Sequence, residues 1–461
     1  MMALRKVFTL LRMGWAASWL GLNLPLASLA VLIVLIFLAC GHGSGSGGTT
    51  VSSSPPPPLR GPRAPDQIGI DYTPESRCSD SNWQTTTPAA CNPQLSFICP
   101  SPNPQQPLNC PSACQTCYDN DLKSNLQGRL NVSTITSYQP NYYILKSADT
   151  LKIKVIQGLF NDAIPSLAKP STAKNCTFSG SAISLCGSKY AGALLDGACG
   201  SVTPWDPEDF CSNTPTENRP YVEPLNYPDR PKKDTRVPKF IQDGTIIAIQ
   251  LGNEALGTKV GGQVITAQMI STAAKTLRAA LNTRGFSAIP IVVSLVLGQE
   301  KTFCKKGAPP PGVDFIAAHP YCNFVANTPP SWPLHGSQCW TQVQDLFKSV
   351  SQASCGASHT YIGETGYNTG CPNSVPQTTI DDERLFIDDL KSTTCAAPPP
   401  PSGFPTFLFA FSDVCPSSGC LAGCANRPRE GNGYFGIFHT MDYLTKGDAV
   451  PKFPPPSLKC D

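Results

Sequence analysis

A chain of 461 residues is long enough for one large α/β barrel with tails, or for two smaller domains. Its formal net charge of +3 and charged fraction of 15% exclude the strongly basic surface that nucleic acid requires. No basic block exceeds a lysine pair such as Lys232-Lys233 or Lys305-Lys306, so no nucleic-acid partner is expected.

In chain order, residues 1–12 carry Arg5, Lys6 and Arg12 and read as a short cytoplasmic tail. Residues 13–40 form an uncharged apolar run longer than the ~20 residues that span a bilayer. Positive charge precedes the run and none follows until Arg60, so the remainder is expected on the far side of the membrane. The run reads as a signal-anchor, giving a single-pass membrane protein with an extracellular domain; a signal peptide cleaved before His42, leaving a secreted protein, is the competing reading. Residues 41–66 are rich in Gly and Ser, then in Pro, with Pro55 to Pro58 in a row, the composition of a linker.

Residues 67–446 show short apolar runs bounded by turn residues. Strands are expected at 68–72, 134–138, 152–159, 246–251, 289–294, 315–318, 360–363 and 406–411. The runs are mostly continuous rather than alternating, as for strands buried on both faces of a parallel sheet. Residues 264–281 repeat apolar side chains at helical spacing, and 142–151, 340–350 and 383–390 give further helices. Eight such units predict a (β/α)8 barrel. Three long insertions, at 73–117, 162–239 and 412–432, each follow a strand and so belong to the face where barrel enzymes keep their active sites. Residues 447–461 are proline-rich and polar, and read as a C-terminal tail.

Of the 21 cysteines, all but Cys40 lie beyond the apolar run. That even remainder, in a secretory context, points to disulfides that staple the insertions. Zinc is the competing reading for Cys110, Cys114 and Cys117 and for Cys415, Cys420 and Cys424, but each cluster is one ligand short of the usual four. Asn131-Val132-Ser133 and Asn175-Cys176-Thr177 are N-glycosylation sequons, meaningful in a eukaryotic host.

Two carboxylates stand out by position. Glu254 follows the run Ile-Ala-Ile-Gln-Leu-Gly-Asn, and Glu364 follows Thr-Tyr-Ile-Gly. Burying a carboxylate at a strand tip is costly unless it is paired, so core packing explains neither. A pair of carboxyls at a barrel mouth is what glycoside hydrolysis needs: one protonates the leaving oxygen and the other attacks the anomeric carbon.

The segments Gln250-Leu-Gly-Asn-Glu-Ala-Leu256 and Ile362-Gly-Glu-Thr-Gly-Tyr367 resemble the two catalytic signatures of glycoside hydrolase family 17, the β-1,3-glucanase family. Ile68-Gly-Ile-Asp-Tyr72, Thr134-Ile-Thr-Ser-Tyr138 and Leu151 to Leu159 resemble its first three strands, and Asp314 to Tyr321 its sixth. Phe407 to Asp413 and Gly433 to Phe438 resemble its eighth strand and closing segment. The resemblance implies a retaining β-glucan hydrolase, most simply a β-1,3-glucanase, with Glu254 as acid/base and Glu364 as nucleophile. It implies that Asn253 binds the sugar 2-hydroxyl and that Tyr321 orients the nucleophile. Tyr72, Tyr138, Tyr367 and Asp413 are its further candidate sugar contacts. Tyr367 stands where the family usually has tryptophan, and Asp413 where a longer acid is common. A β-glucan transglycosylase and a catalytically silent glucan-binding surface protein are the alternative functions. No cofactor and no metal are expected, and the pattern says nothing of oligomeric state. His319, beside Pro320, reads as a structural strand-end histidine, and Asp381-Asp382-Glu383 as a cluster complementing a helix dipole.

Overall fold

A computed structural model describes residues 66–72, 118–138, 142–170, 186–196, 240–305, 307–322, 336–369, 379–411, 436–438 and 451–460. Eight strands form one parallel sheet: β1 (Ile68–Asp71), β2 (Thr134–Ser137), β3 (Lys154–Leu159), β4 (Ile246–Leu251), β5 (Ile291–Val296), β6 (Phe315–His319), β7 (Thr360–Ile362) and β8 (Thr406–Leu408). Each strand pairs with the next in sequence from β1 to β7, and β8 pairs with β1. Thr365, just past β7, closes the ring on β8: its N–H donates to Phe407 O at 3.1 Å and its carbonyl accepts from Phe409 N at 2.7 Å. This is the expected (β/α)8 barrel, with all strand C-termini at one face.

The barrel lumen is filled by side chains that include Ile156, Val292, Phe315, Tyr361, Phe404 and Phe407, each no more than 2% exposed. Outside it pack the helices α1 (Tyr142–Leu151), α2 (Ala163–Ala168), α3 (Gly187–Asp196), α4 (Ala267–Thr283), α5 (Gly336–Leu346) and α6 (Ile380–Ala396). α4 starts where Thr266 accepts from Met269 N, three residues later than the periodicity suggests. The residues before it, Lys259–Val260 and Gln263–Val264, form a small antiparallel hairpin instead. α2 and α3 pack on α4, within a stretch read from the sequence as a cysteine-rich insertion. The fifth strand lies two residues later than expected, because the turn at Ile289 bonds back to Phe286. A ten-residue π-type helix, Asp121–Leu130, precedes β2 and had no clear periodic signal.

Two expected boundaries shift. Asp66, assigned to the linker, anchors the start of β1 by accepting from Ser133 N and Oγ, both at 2.8 Å, and from Thr134 Oγ1. Residues 451–460, expected to be a tail, are part of the fold. Phe453 and Leu458 enter the core, Leu458 N donates to Leu130 O, and Cys460 is bonded to Cys395 of α6. Lys452 Nζ lies 3.2 Å from Glu383 Oε2 with both side chains 2% exposed, and also donates to Thr369 Oγ1. The acidic start of α6 is therefore more than a dipole match. Asp382 completes a capping box with Thr379, while Glu383 is a buried ionic anchor.

Cys304–Cys355 and Cys322–Cys339 are bonded, and Cys186 is also in a disulfide. The two three-cysteine clusters lie outside the described residues, as do the apolar run 13–40 and the sequon at Asn175. Among the described residues, no helix is long and apolar enough to cross a membrane. Every described cysteine being bonded, thiol titration of the native and the denatured chain should find no free thiol beyond Cys40; several would overturn the disulfide reading.

Breaking the Lys452–Glu383 pair leaves a buried charge uncompensated. Lys452→Met should lower stability by about 3–5 kcal/mol in chemical denaturation, and adding Glu383→Leu should restore most of it. A single variant as stable as the parent would show that the pair does not hold the C-terminal segment in place.

Candidate active site

Glu254 and Glu364 come together at the C-terminal face. Glu254 sits on the tight turn after β4, where Gly252 (φ 74°) and Glu254 itself (φ 47°) take left-handed backbone conformations. A side chain on Gly252 would meet Asn161 Oδ1 at 2.7 Å and Ile164 at 2.8 Å, so only glycine fits there. The unusual φ at Glu254 costs on the order of 1 kcal/mol and is held by its surroundings, a pattern typical of functional turns. Its N–H donates to Ser294 Oγ at 2.8 Å, from β5.

Asn253 is clamped on both sides. Its backbone N–H donates to Asn161 Oδ1 at 2.7 Å, and its carbonyl accepts from Asn161 Nδ2 at 3.0 Å. Its side-chain Oδ1 accepts from Ser294 Oγ at 2.9 Å and from Gln250 Nε2 at 3.4 Å. With the oxygen occupied, the amide N–H2 is left as the donor for a ligand. Asn161 and Ser294 escaped the sequence reading because one hydrogen-bonding residue in a loop and one in a strand carry no periodic signal.

Glu364 follows β7 and is 8% exposed. Tyr321 Oη donates to its Oε1 at 2.5 Å, and Tyr138 Oη donates to its Oε2 at 2.6 Å. The backbone of Tyr138 packs closely on Gly158, where an added Cβ would lie 2.6 Å from the Tyr138 carbonyl oxygen. Burial, with the negative charges around them, pushes both phenols well above the usual tyrosine range, so they remain neutral donors.

His319, at the tip of β6, lies between the two carboxylates. Its Nδ1 is 2.8 Å from Glu254 Oε1 and 3.3 Å from Glu364 Oε2, with the ring 1% exposed. Burial pushes the imidazole down, but the charge of Glu364, the hydrogen bond and charge of Glu254, and the charge of Glu300 together hold it above the usual range. Burial likewise pushes Glu254 up, and the hydrogen bond and charge of His319 outweigh it, leaving Glu254 below the usual range. His319, read from the sequence as a structural strand-end histidine, thus also contacts both glutamates. Ligand-capable atoms of these three residues lie within 4.8 Å of one another. The 2.8 Å contact between Nδ1 and Oε1 is a hydrogen bond, with one proton held between the imidazole and the carboxylate.

A third carboxyl, Asp71 at the tip of β1, is fully buried and neither oxygen has a hydrogen-bond partner of good geometry. Burial, then the charge of Glu364, raises it well above the usual carboxylate range, and nearby Tyr138 and Thr136 oppose this only in part. Its surroundings favour the neutral acid over the carboxylate. The sequence reading passed over it as part of a strand.

The other candidates are placed differently. Tyr72 is 1% exposed, donates to Asp121 Oδ2 at 3.1 Å and packs edge-on against Phe411. Tyr367 is also 1% exposed and packs on Phe386 of α6, where burial and the charges of Asp382 and Glu383 raise its phenol. Both are thus buried against the residues of the barrel and its outer layer. Asp413 lies outside the described residues.

Asp71 gives a stability test with a definite sign. Its folded-state value is raised above the ordinary 3.8, so its contribution is fully present below about pH 3.8 and is lost as pH rises through the folded value. Asp71→Asn cannot ionise in either state. Its melting temperature relative to the parent should therefore be higher at pH 7 than at pH 3.5; an equal difference at both pH values would show that Asp71 is not held neutral.

No protein-family profile and no curated protein sequence matches this chain. Among solved structures it is similar to CJP38, a β-1,3-glucanase and allergen of Cryptomeria japonica pollen, at 15% identity over 86% of this chain and 99% of that one, with a TM-score of 0.46. It is also similar to a glycoside hydrolase family 17 β-1,3-glucanosyltransferase from Rhizomucor miehei, at 12% identity over 85% and 97% of the two chains, with a TM-score of 0.42. An endo-laminarinase from Formosa is similar at 15% identity over 70% and 78%, with a TM-score of 0.41.

Proposed function

We propose that this protein is a retaining glycosidase or transglycosidase acting on β-glucan, with β-1,3-glucan the first substrate to test. The observation that supports the reading is the approach of the two strand-tip carboxylates, each with an oxygen within 4.8 Å of an oxygen of the other. Inversion needs ~6.5–9.5 Å between the carboxyl groups to admit a water, whereas retention works at ~5–5.5 Å.

Glu364, aligned by Tyr321 and Tyr138, attacks the anomeric carbon as the glycosidic C–O bond breaks, and a glycosyl ester forms on its carboxylate. Glu254 delivers the proton that the leaving oxygen takes up. In the second half-reaction Glu254 removes a proton from the acceptor, whose oxygen displaces Glu364 and restores it as a carboxylate. Water as acceptor gives hydrolysis, and a sugar hydroxyl gives transfer. The side-chain N–H2 of Asn253, whose oxygen is engaged by Ser294, donates to the sugar 2-hydroxyl. The apolar run 13–40 and the disulfides support an extracytoplasmic location, held by a signal-anchor or secreted.

Azide rescue separates the two roles. Glu364→Ala should reduce turnover of an aryl β-glucoside or aryl laminari-oligosaccharide at least ~10³-fold and, with azide, yield the α-glycosyl azide by a single displacement. Glu254→Ala should still glycosylate Glu364 from a good leaving group and yield the β-glycosyl azide. NMR of the products reads the configuration. The same anomer from both variants would overturn the assignment, and an unmodified protein that binds glucan but cleaves none would favour a binding role.

A further inference from the structure

A general acid needs its proton before the reaction starts, yet Glu254 is held below the ordinary carboxylate range in this site. The proton has another place to reside. His319 Nδ1 is in hydrogen-bond contact with Glu254 Oε1 at 2.8 Å, its ring is 1% exposed, and Glu364 Oε2 stands 3.3 Å from the same nitrogen. The charged groups acting on the imidazole are Glu364 after β7, Glu254 after β4 and Glu300 on the short helical turn after β5. All are carboxylates. Tyr321 and Tyr138, also at the site, stay neutral and donate hydrogen bonds to Glu364.

We propose that His319 is the proton-holding partner of Glu254, storing the acid's proton on Nδ1 in the free protein and taking it back at the end of each cycle. This rests on the reading of Glu254 as acid/base and Glu364 as nucleophile. His319 is a positioning residue, acting only through Glu254.

The proton count closes. At rest the imidazolium carries the proton, and both glutamates are carboxylates. The proton passes from Nδ1 to the Glu254 carboxyl and from there to the leaving oxygen, while Glu364 becomes an ester. Forming that ester removes the negative charge that most favours the imidazolium, so the imidazole is neutral in the intermediate. Glu254 is then a carboxylate without a cation beside it, and hence a better base for the acceptor. When the acceptor oxygen expels Glu364, its negative charge returns, and the proton taken up by Glu254 moves back to Nδ1. The nucleophile's charge thus sets the direction of proton flow for the neighbouring acid/base.

Two measurements test this on the full chain. The first needs no substrate. The chain has five histidines, so a ¹³C-histidine label gives a countable NMR spectrum in which His319 is assigned by its loss in His319→Asn. His319 should titrate above ~6.5, and its midpoint should fall in both Glu364→Gln and Glu254→Gln. A midpoint unmoved by either substitution, or an imidazole neutral across pH 5–8, would overturn the proposal.

The second compares pH–rate profiles. His319→Asn keeps an N–H donor near the Nδ1 position but cannot hold the extra proton. On β-1,3-glucan its alkaline limb should move about one pH unit or more towards acid. Glycosylation by a dinitrophenyl glycoside, whose leaving group needs no proton, should change less than threefold. An unchanged alkaline limb would overturn the proposal, as would an equal loss on both substrates. An unmodified protein that cleaves neither substrate would count against the functional reading itself, while the titration would still decide whether His319 shares its proton with the glutamates.

Discussion

Closing a parallel sheet on itself requires the last strands to find hydrogen-bond partners across a seam, and here the seam passes through Thr365. Its backbone exchanges hydrogen bonds with Phe407 and Phe409, and its hydroxyl donates to Pro320 O at 2.8 Å. Three strand ends, from β6, β7 and β8, are thus tied at one fully buried residue. Glu364 immediately precedes it, and Tyr321 immediately follows Pro320. The 2.5 Å contact between Tyr321 and Glu364 is consequently set by the geometry of closure rather than by flexible loops. A site built this way is preorganised before any ligand arrives.

The same closure crowds acidic groups into a space of low dielectric. Glu254, Glu364 and Asp71 come from three different strand tips, with Glu300 close enough to act on His319. Three carboxylates with no counter-charge would be intolerable there. The site meets the problem in three ways. Burial raises Asp71 and so favours its neutral form, Glu364 accepts from two phenolic donors, and Glu254 is hydrogen-bonded to His319. One imidazole stands within reach of two carboxylates because the strand order brings β4, β6 and β7 tips to a common centre.

The outer layer is secured by different means. α6 is capped at its start by Thr379 and Asp382, joined to the C-terminal segment through Lys452 and Glu383, and bonded to it again at Cys395–Cys460. The segment 451–460 therefore closes the fold near its first strands, bonding back to Leu130 before β2. A proline-rich stretch with few apolar residues can be held firmly when a disulfide and a desolvated ion pair restrict it.

What the sequence determined by itself is the barrel and the position of two glutamates just beyond its strands. Continuous apolar runs such as 246–251 report burial on both faces, and a local run is enough to register that. Glu254 and Glu364 were legible because a carboxylate directly after such a run has no packing role. What only the tertiary structure decided is everything that depends on contact between strand tips distant in the chain. His319 looks structural next to Pro320, and becomes a proton-sharing group only because it is 65 residues from Glu254 in sequence and 2.8 Å away in space. Asp71 reads as an ordinary strand residue until the barrel buries it beside Glu364. Tyr72 and Tyr367 are legible as aromatic residues beside strand ends, and only the fold supplies their partners Asp121 and Phe386. Sequence patterns encode which residues leave water. The charge state and partner of each buried polar group are set by long-range neighbours, and no local pattern records those.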